Sequence, residues 1–237
     1  MTKRRSFAAL GIALWLLAAI QTGWAQSNDP EVQWQQWAFS IPGSVNPQVG
    51  SYGSPANLSP DQCVIGQSGS LWFLAGTTGG TAVRYCTVPD DRQLFFPVIN
   101  NIFFNSPNCG QGGQNVTASF ERNFVRQQMS TVTNLSATLD GTPIHGIENR
   151  QSPPFAVVIP PDNFYNFIFP AGPCQSPPDS SPFLAAGVYS PSIDAGFYVH
   201  LGPLSDGTHT LHFHAENPPV GFVLDVTYHL TVVPVKM

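Results

Sequence analysis

Apolar and polar residues alternate through most of the C-terminal part of the chain. Phe197, Val199 and Leu201 alternate with Tyr198 and His200; Leu211 and Phe213 alternate with Thr210, His212 and His214. Phe222, Leu224, Val226, Tyr228, Leu230 and Val232 alternate with Val223, Asp225, Thr227, His229 and Thr231. A period of two sends successive side chains to opposite faces, so each segment predicts a strand with one apolar face. Ser205-Asp206-Gly207 and Asn217-Pro218-Pro219 supply turn residues between them, and the three segments predict a consecutive antiparallel meander over about 197–233. Upstream, the aromatic and branched runs Leu71–Ala75, Thr81–Val88, Gln93–Phe104 and Phe155–Ile159 read as strands broken by Gly- and Pro-rich turns. Leu135, Ala137 and Leu139 lead into Asp140-Gly141, a dipeptide favoured in tight hairpins, which predicts a strand pair over about 134–147.

A helical period occurs twice. Trp34, Trp37, Ala38 and Ile41 follow Asp29-Pro30, a cap with proline at the first helical position. Phe120, Phe124, Val125 and Met129 follow Thr117 or Ser119 as cap, with Glu121 in the first turn. The fold expected from this pattern is all-β: one antiparallel β-sandwich or jelly-roll-like domain over residues 26–237, with two short flanking helices.

The N-terminus carries Lys3, Arg4 and Arg5, then an apolar run from Phe7 to Ile20, then Gly23-Trp24-Ala25. This order of basic, apolar and small residues predicts a secretory signal peptide over 1–25, cleaved after Ala25 into the periplasm or medium. The apolar run is shorter than the ~20 residues a membrane span needs, and no second long run follows, so no transmembrane segment is expected in the mature chain. Removing the leader takes three of the nine basic residues and leaves all 14 acidic ones, a net charge of −8. Such a chain lacks the clustered cations that bind phosphate, which argues against a nucleic-acid partner.

All four cysteines, Cys63, Cys86, Cys109 and Cys174, lie in the mature part. An even count in an exported chain reads as two disulfides rather than zinc ligands, since no Cys-x-x-Cys spacing is present. Of the three pairings, Cys63–Cys86 and Cys109–Cys174 are preferred: the first ties neighbouring strands and the second staples two loops. Closing loops of this size is worth about 3–4 kcal/mol each in the chain-entropy model.

Five of the six histidines fall between His200 and His229. One register that keeps the apolar faces together sets His200 opposite His212, Tyr198 opposite His214, and His214 opposite Asp225 or Val223. His229 then lies near Thr210 or Thr208. The polar face would gather His200, His212, His214, Asp225 and His229, with Glu216 beside them and His209 on the other face. Two imidazoles at i and i+2, completed from a neighbouring strand, can hold zinc or another divalent transition metal. The competing expectation is a solvated sheet face. His212-Phe213-His214 resembles the metal strand of carbonic anhydrases, and Gly207–Gly221 resembles a cupin motif, but Glu216 follows His214 by two residues where a cupin places its glutamate four or five residues on.

The chain contains no Gly-x-Ser-x-Gly elbow, no His-Glu-x-x-His, no phosphate loop and no dinucleotide fingerprint, and no catalytic residue is assigned. The strings Trp34–Pro47 (WQQWAFSIPGSVNP), Gly66–Thr77 (GQSGSLWFLAGT), Cys86–Asn100 (CTVPDDRQLFFPVIN) and Tyr189–Pro234 (with GTHTLHFHAENPPVGFVLDVTYHLTVVP at its end) resemble a family of uncharacterised exported bacterial proteins. That resemblance implies export and one compact unit, and implies no activity. Two functional expectations follow. The leading one is a non-catalytic exported binding or structural module whose ligand is a glycan or a protein; the rival is a metal-binding protein or metal-dependent enzyme built on the histidines.

Overall fold

In the computed structural model the residues described are 27–49, 62–107, 109, 111–169, 174 and 183–235. The predicted leader lies outside them, as does most of the 170–182 loop. The chain is mainly β with few short helices, and the strands among the described residues form two five-stranded sheets.

The first sheet has the order β1 (Leu71–Phe73), β3 (Gln93–Phe104), β8 (Gly187–Leu201), β6 (Ile147–Gln151), and β7 (Phe155–Ile159) also pairs with the long β8. The second has the order β2 (Gly80–Pro89), β10 (Phe222–Val233), β9 (Gly207–Asn217), β4 (Thr133–Leu139), β5 (Thr142–Pro143). Both sheets are mixed rather than purely antiparallel, because β1 pairs parallel with β3 and β2 pairs parallel with β10. Parallel neighbours require long crossover connections, and alternation within a strand carries no information about them.

The apolar faces of the two sheets meet. Leu94, Phe96, Ile193 and Val199 of the first sheet share one core with Leu211, Phe213, Val226 and Leu230 of the second. The rings of Phe96 and Phe213 lie 4.9 Å apart. Helix α2 (Ala118–Met129) adds Val125 and Met129 to this core, and Thr117 caps it by accepting the Phe120 N–H at 3.2 Å. The other face of the first sheet is covered by α1 (Pro30–Ser40), whose Trp34, Trp37 and Ala38 pack on Phe73, Phe95 and Tyr198. Both indole N–H groups are satisfied in that apolar setting: Trp34 donates to the Leu74 carbonyl and Trp37 to that of Ile65, each at 2.9 Å. A third helix, α3 (Phe164–Ile168), buries Phe164 and leaves Phe167 and Phe169 exposed.

The β4–β5 hairpin turns at Asp140 and Gly141, both at positive φ (52° and 77°), as a type I′ turn requires. The disulfides join Cys63 to Cys86 and Cys109 to Cys174, the preferred one of the three pairings.

The expected three-stranded meander over 197–233 is corrected at its first strand. β8 pairs with β3, β6 and β7, while β9 pairs with β10 and β4. Residues 202–206 cross from one sheet to the other instead of closing a hairpin. Two apolar strand faces satisfy each other equally well side by side or across a sandwich about 10 Å thick, and five residues are long enough for that step.

Candidate functional site on the outer face of the second sheet

The outward residues of β4, β9, β10 and β2 lie in rows across the second sheet. One row is Ser136, His214, Asp225 and Thr81. The next is Thr138, His212, Thr227 and Val83, and the one beyond it brings Thr210, His229 and Tyr85 together. Every residue in these rows is exposed or half-buried. The β9–β10 register is one of the two expected, with His214 opposite Asp225 rather than Val223 and His229 opposite Thr210 rather than Thr208.

The carboxylate of Asp225 joins both imidazoles of the His-Phe-His strand. Its Oδ1 lies 3.2 Å from His212 Nε2 and its Oδ2 lies 3.2 Å from His214 Nδ1. His214 Nε2 in turn lies 3.3 Å from Glu216 Oε1. Glu216 is held below the usual carboxylate range, first by a side-chain hydrogen bond from Asn134 and then by His214. The contact of His212 with Asp225 is diagonal, since the residue directly opposite His212 is Thr227. About a third of the His212 and Asp225 side chains is exposed, and solvent-screened pairs of this kind contribute only about 0–1 kcal/mol each.

Two further groups flank this chain of contacts. Tyr85, half exposed, stacks on its cross-strand neighbour His229 with ring centroids 5.0 Å apart and planes 26° apart. His209, on the inward side of β9, bonds Asp140 Oδ2 at 2.7 Å and the Ser205 carbonyl at 2.9 Å. The Asp140 bond, reinforced by Ser205, raises the His209 pKa. Asp140 is lowered first by the Thr210 N–H and then by His209.

Of the five residues expected to surround a metal, the structure brings His212, His214 and Asp225 together. His200 is corrected. It sits on β8 opposite Phe95, on the face of the first sheet that α1 covers, and its Nε2 lies 2.7 Å from Gln93 Oε1. His200 and His212 therefore project from opposite sides of the sandwich. His229 is on the correct face but two rows from Asp225, occupied with Tyr85. Among the described residues no group of three or more His, Cys, Asp or Glu is arranged to hold a metal ion.

Alternation alone did not single out two buried polar groups. Asp194, fully buried, accepts hydrogen bonds from Gln35 (2.6 Å), Asn100 (3.3 Å) and Tyr198 (2.7 Å). Arg84 is buried on the inward side of β2. Its position among Ala82, Cys86 and Val88, all inward at a spacing of two, was the available signal for Arg84; Asp194 had none, because the helix that covers it comes from the other end of the chain.

No protein-family model, no curated protein and no solved structure matches this chain. No described helix is long and apolar enough to cross a membrane. The two disulfides are compatible with an oxidising, extracytoplasmic setting.

Proposed function

We propose that this chain is an exported, non-catalytic binding module that takes a glycan on the outer face of its second sheet. The observation that carries this reading is the juxtaposition, on one face left open among the described residues, of the His212–Asp225–His214 hydrogen-bonding row with the exposed Tyr85–His229 stack. A sugar ring presents hydroxyls at its edge and C–H bonds on its flat side. The carboxylate and imidazoles suit the first, and an exposed aromatic face suits the second. A stabilising role accounts poorly for the cluster, because such screened ion pairs contribute little. Export rests on the basic–apolar–small N-terminal pattern and agrees with the disulfides.

A panel of soluble and immobilised polysaccharides, followed by titration calorimetry on the best binder, tests the reading. Tyr85→Ala is expected to weaken binding about tenfold, the size of one lost stacking contact of about 1.4 kcal/mol. Asp225→Asn should weaken it by a similar factor while leaving the unfolding midpoint within about 0.5 kcal/mol of wild type. Glycan binding that is absent, or that survives both substitutions, would refute the proposal. So would turnover in a broad hydrolase screen that a single polar substitution abolishes.

The same preparation distinguishes this reading from its metal-dependent rival. Elemental analysis of tag-free protein, purified without chelator and after zinc add-back, is expected to give well under one equivalent of transition metal. The His212→Ala/His214→Ala double variant should not change that content. A stoichiometric metal lost in the double variant would reverse the order of the two readings.

A further inference from the structure

Strand β6 presents two different faces. Glu148 and Arg150 pair with each other, and Arg150 also pairs with Glu31 of α1. Asn149 and Gln151, alternating with them, project to the opposite side. There Gln151 accepts from Arg126 Nη2 at 3.2 Å and donates to the Arg122 carbonyl at 3.3 Å, both on α2. Beside these contacts lies a cavity of ≈ 290 Å³ walled by Arg126, Met129, Ser130, Asn149, Gln151 and Ala195. Its size is at the lower end of the range that holds small ligands, about 300–1,000 Å³. Met129 and Ala195 are buried and form an apolar floor; Arg126, Ser130 and Asn149 are exposed and stand at the rim. None of these six residues belongs to the second sheet.

Two of the rim groups are open. Among the described residues Asn149 makes no side-chain hydrogen bond, and Arg126 makes only the one to Gln151. Arg126 also lacks a carboxylate partner there, since the ion-paired arginines are Arg92 and Arg150. A cation in the last turn of a helix ordinarily serves the terminal carbonyls. Here other groups take those carbonyls: the Ser130 N–H takes that of Arg126, the Ser130 hydroxyl that of Gln127, Thr131 and Asn217 that of Gln128, and the Val132 N–H that of Met129. The guanidinium turns instead to Gln151, which places it on the cavity wall with Nε and Nη1 unengaged. We infer that this cavity binds a small hydroxylated carboxylic acid, a uronic acid or a shorter hydroxy acid. The carboxylate meets the planar guanidinium, whose parallel donors are spaced for two carboxylate oxygens. The hydroxyls meet the Asn149 amide and the lone pairs left on Ser130 Oγ, and the C–H groups lie on Met129 and Ala195. Phosphate carries more charge than one guanidinium balances, in a chain with 14 acidic residues against nine basic ones.

Nitrogen-resolved NMR of the purified protein tests the site, following the Arg126 Nε–H and the backbone amides of Ser130, Asn149 and Ala195. Glucuronate and lactate are titrated separately at low ionic strength, with glucose and inorganic phosphate as controls. Saturable shifts at these residues are expected with an acid in the millimolar range, and none with glucose, which lacks the carboxylate. A response to glucuronate identifies a uronic acid, and a response to lactate alone a shorter hydroxy acid; each supports the site. Arg126→Gln should weaken the binding acid about tenfold or more, and Arg126→Lys, which keeps the charge without the fork, should fall between the two. The inference is overturned if neither acid gives a saturable shift at the wall, or if Arg126→Gln binds as the wild type does. Glucose or phosphate binding there as tightly as the acids would overturn it equally. Arg126 is exposed, so its replacement should fold; if it does not, the wild-type comparison of acid with glucose decides.

Discussion

Replacing Gly196 with alanine is expected to destabilise the protein by about 3 kcal/mol or more, the upper end of what overpacking a buried site costs. Gly196 lies in the middle of β8, opposite Asn100 on β3 and Arg150 on β6. A Cβ added there would come within 2.5 Å of Asn100 Cβ, 2.7 Å of the Ile99 carbonyl oxygen and 2.9 Å of Asn100 Cα. Two of these are backbone atoms of a paired strand, which cannot rotate away as a side-chain tip can. The close approach falls just past the irregularity in the β3–β8 register between Pro97 and Ile99, where the strands are drawn together. Urea unfolding of Gly196→Ala measures the effect. A loss under 1 kcal/mol would mean that β3 can shift outward without cost, and that the first sheet is more loosely registered than its pairing indicates.

The strands were legible because most have one wet face and one dry face, and a two-residue period reports that directly. β9 and β10 illustrate the reach of that signal. Alternation and the turn at Asn217-Pro218-Pro219 put His214 opposite Asp225 or Val223, and the candidate site inherits its geometry from the first of these two registers. Helix α2 was legible from its cap and its buried Val125 and Met129. The pattern fails where a strand's neighbour is not its successor. Nothing in Phe197–Leu201 distinguishes a partner beside it from a partner across the core, and the choice between them moved His200 to the far side of the molecule. The same limit hid the parallel pairing of β2 with β10, and with it the approach of Tyr85 to His229. Helix α1 shows a third kind of limit. Its tryptophan face was plain, but the sheet it covers was not, so the polar side of β8 read as solvent-facing when Asp194 and Tyr198 are among the most buried residues of the chain.

That burial leads to the second large effect, a fall in stability as pH rises from about 4 to about 7. Burial pushes the Asp194 carboxyl up to about 7, against the hydrogen bonds from Tyr198, Gln35 and Asn100 that favour its charged form, with nearby Glu31 adding to the rise. Glu121 is raised to about 7 as well, by burial, and neither of its carboxyl oxygens has a hydrogen-bond partner. In the unfolded chain both carboxyls titrate near 4. Between those values the folded state holds protons that the unfolded state has released, so stability must decline with increasing pH and level off once the folded carboxyls ionise. A displacement of about three pH units at Asp194 corresponds to a change on the order of 4 kcal/mol. His209, raised by Asp140, acts in the same direction, but its partner carboxylate is half exposed and solvent screening keeps the contribution small. Urea midpoints should therefore be clearly higher at pH 5 than at pH 8. Asp194→Asn keeps an amide oxygen to accept from Gln35 and Asn100 and turns its NH₂ toward the Tyr198 oxygen, so it should fold and lose about half of the slope. Adding Glu121→Gln should remove nearly all of the rest. A wild-type midpoint that is flat or rises between pH 5 and pH 8 would show that Asp194 is ionised beneath α1, and the buried contacts of that carboxyl would then have to be worth far more than their desolvation costs.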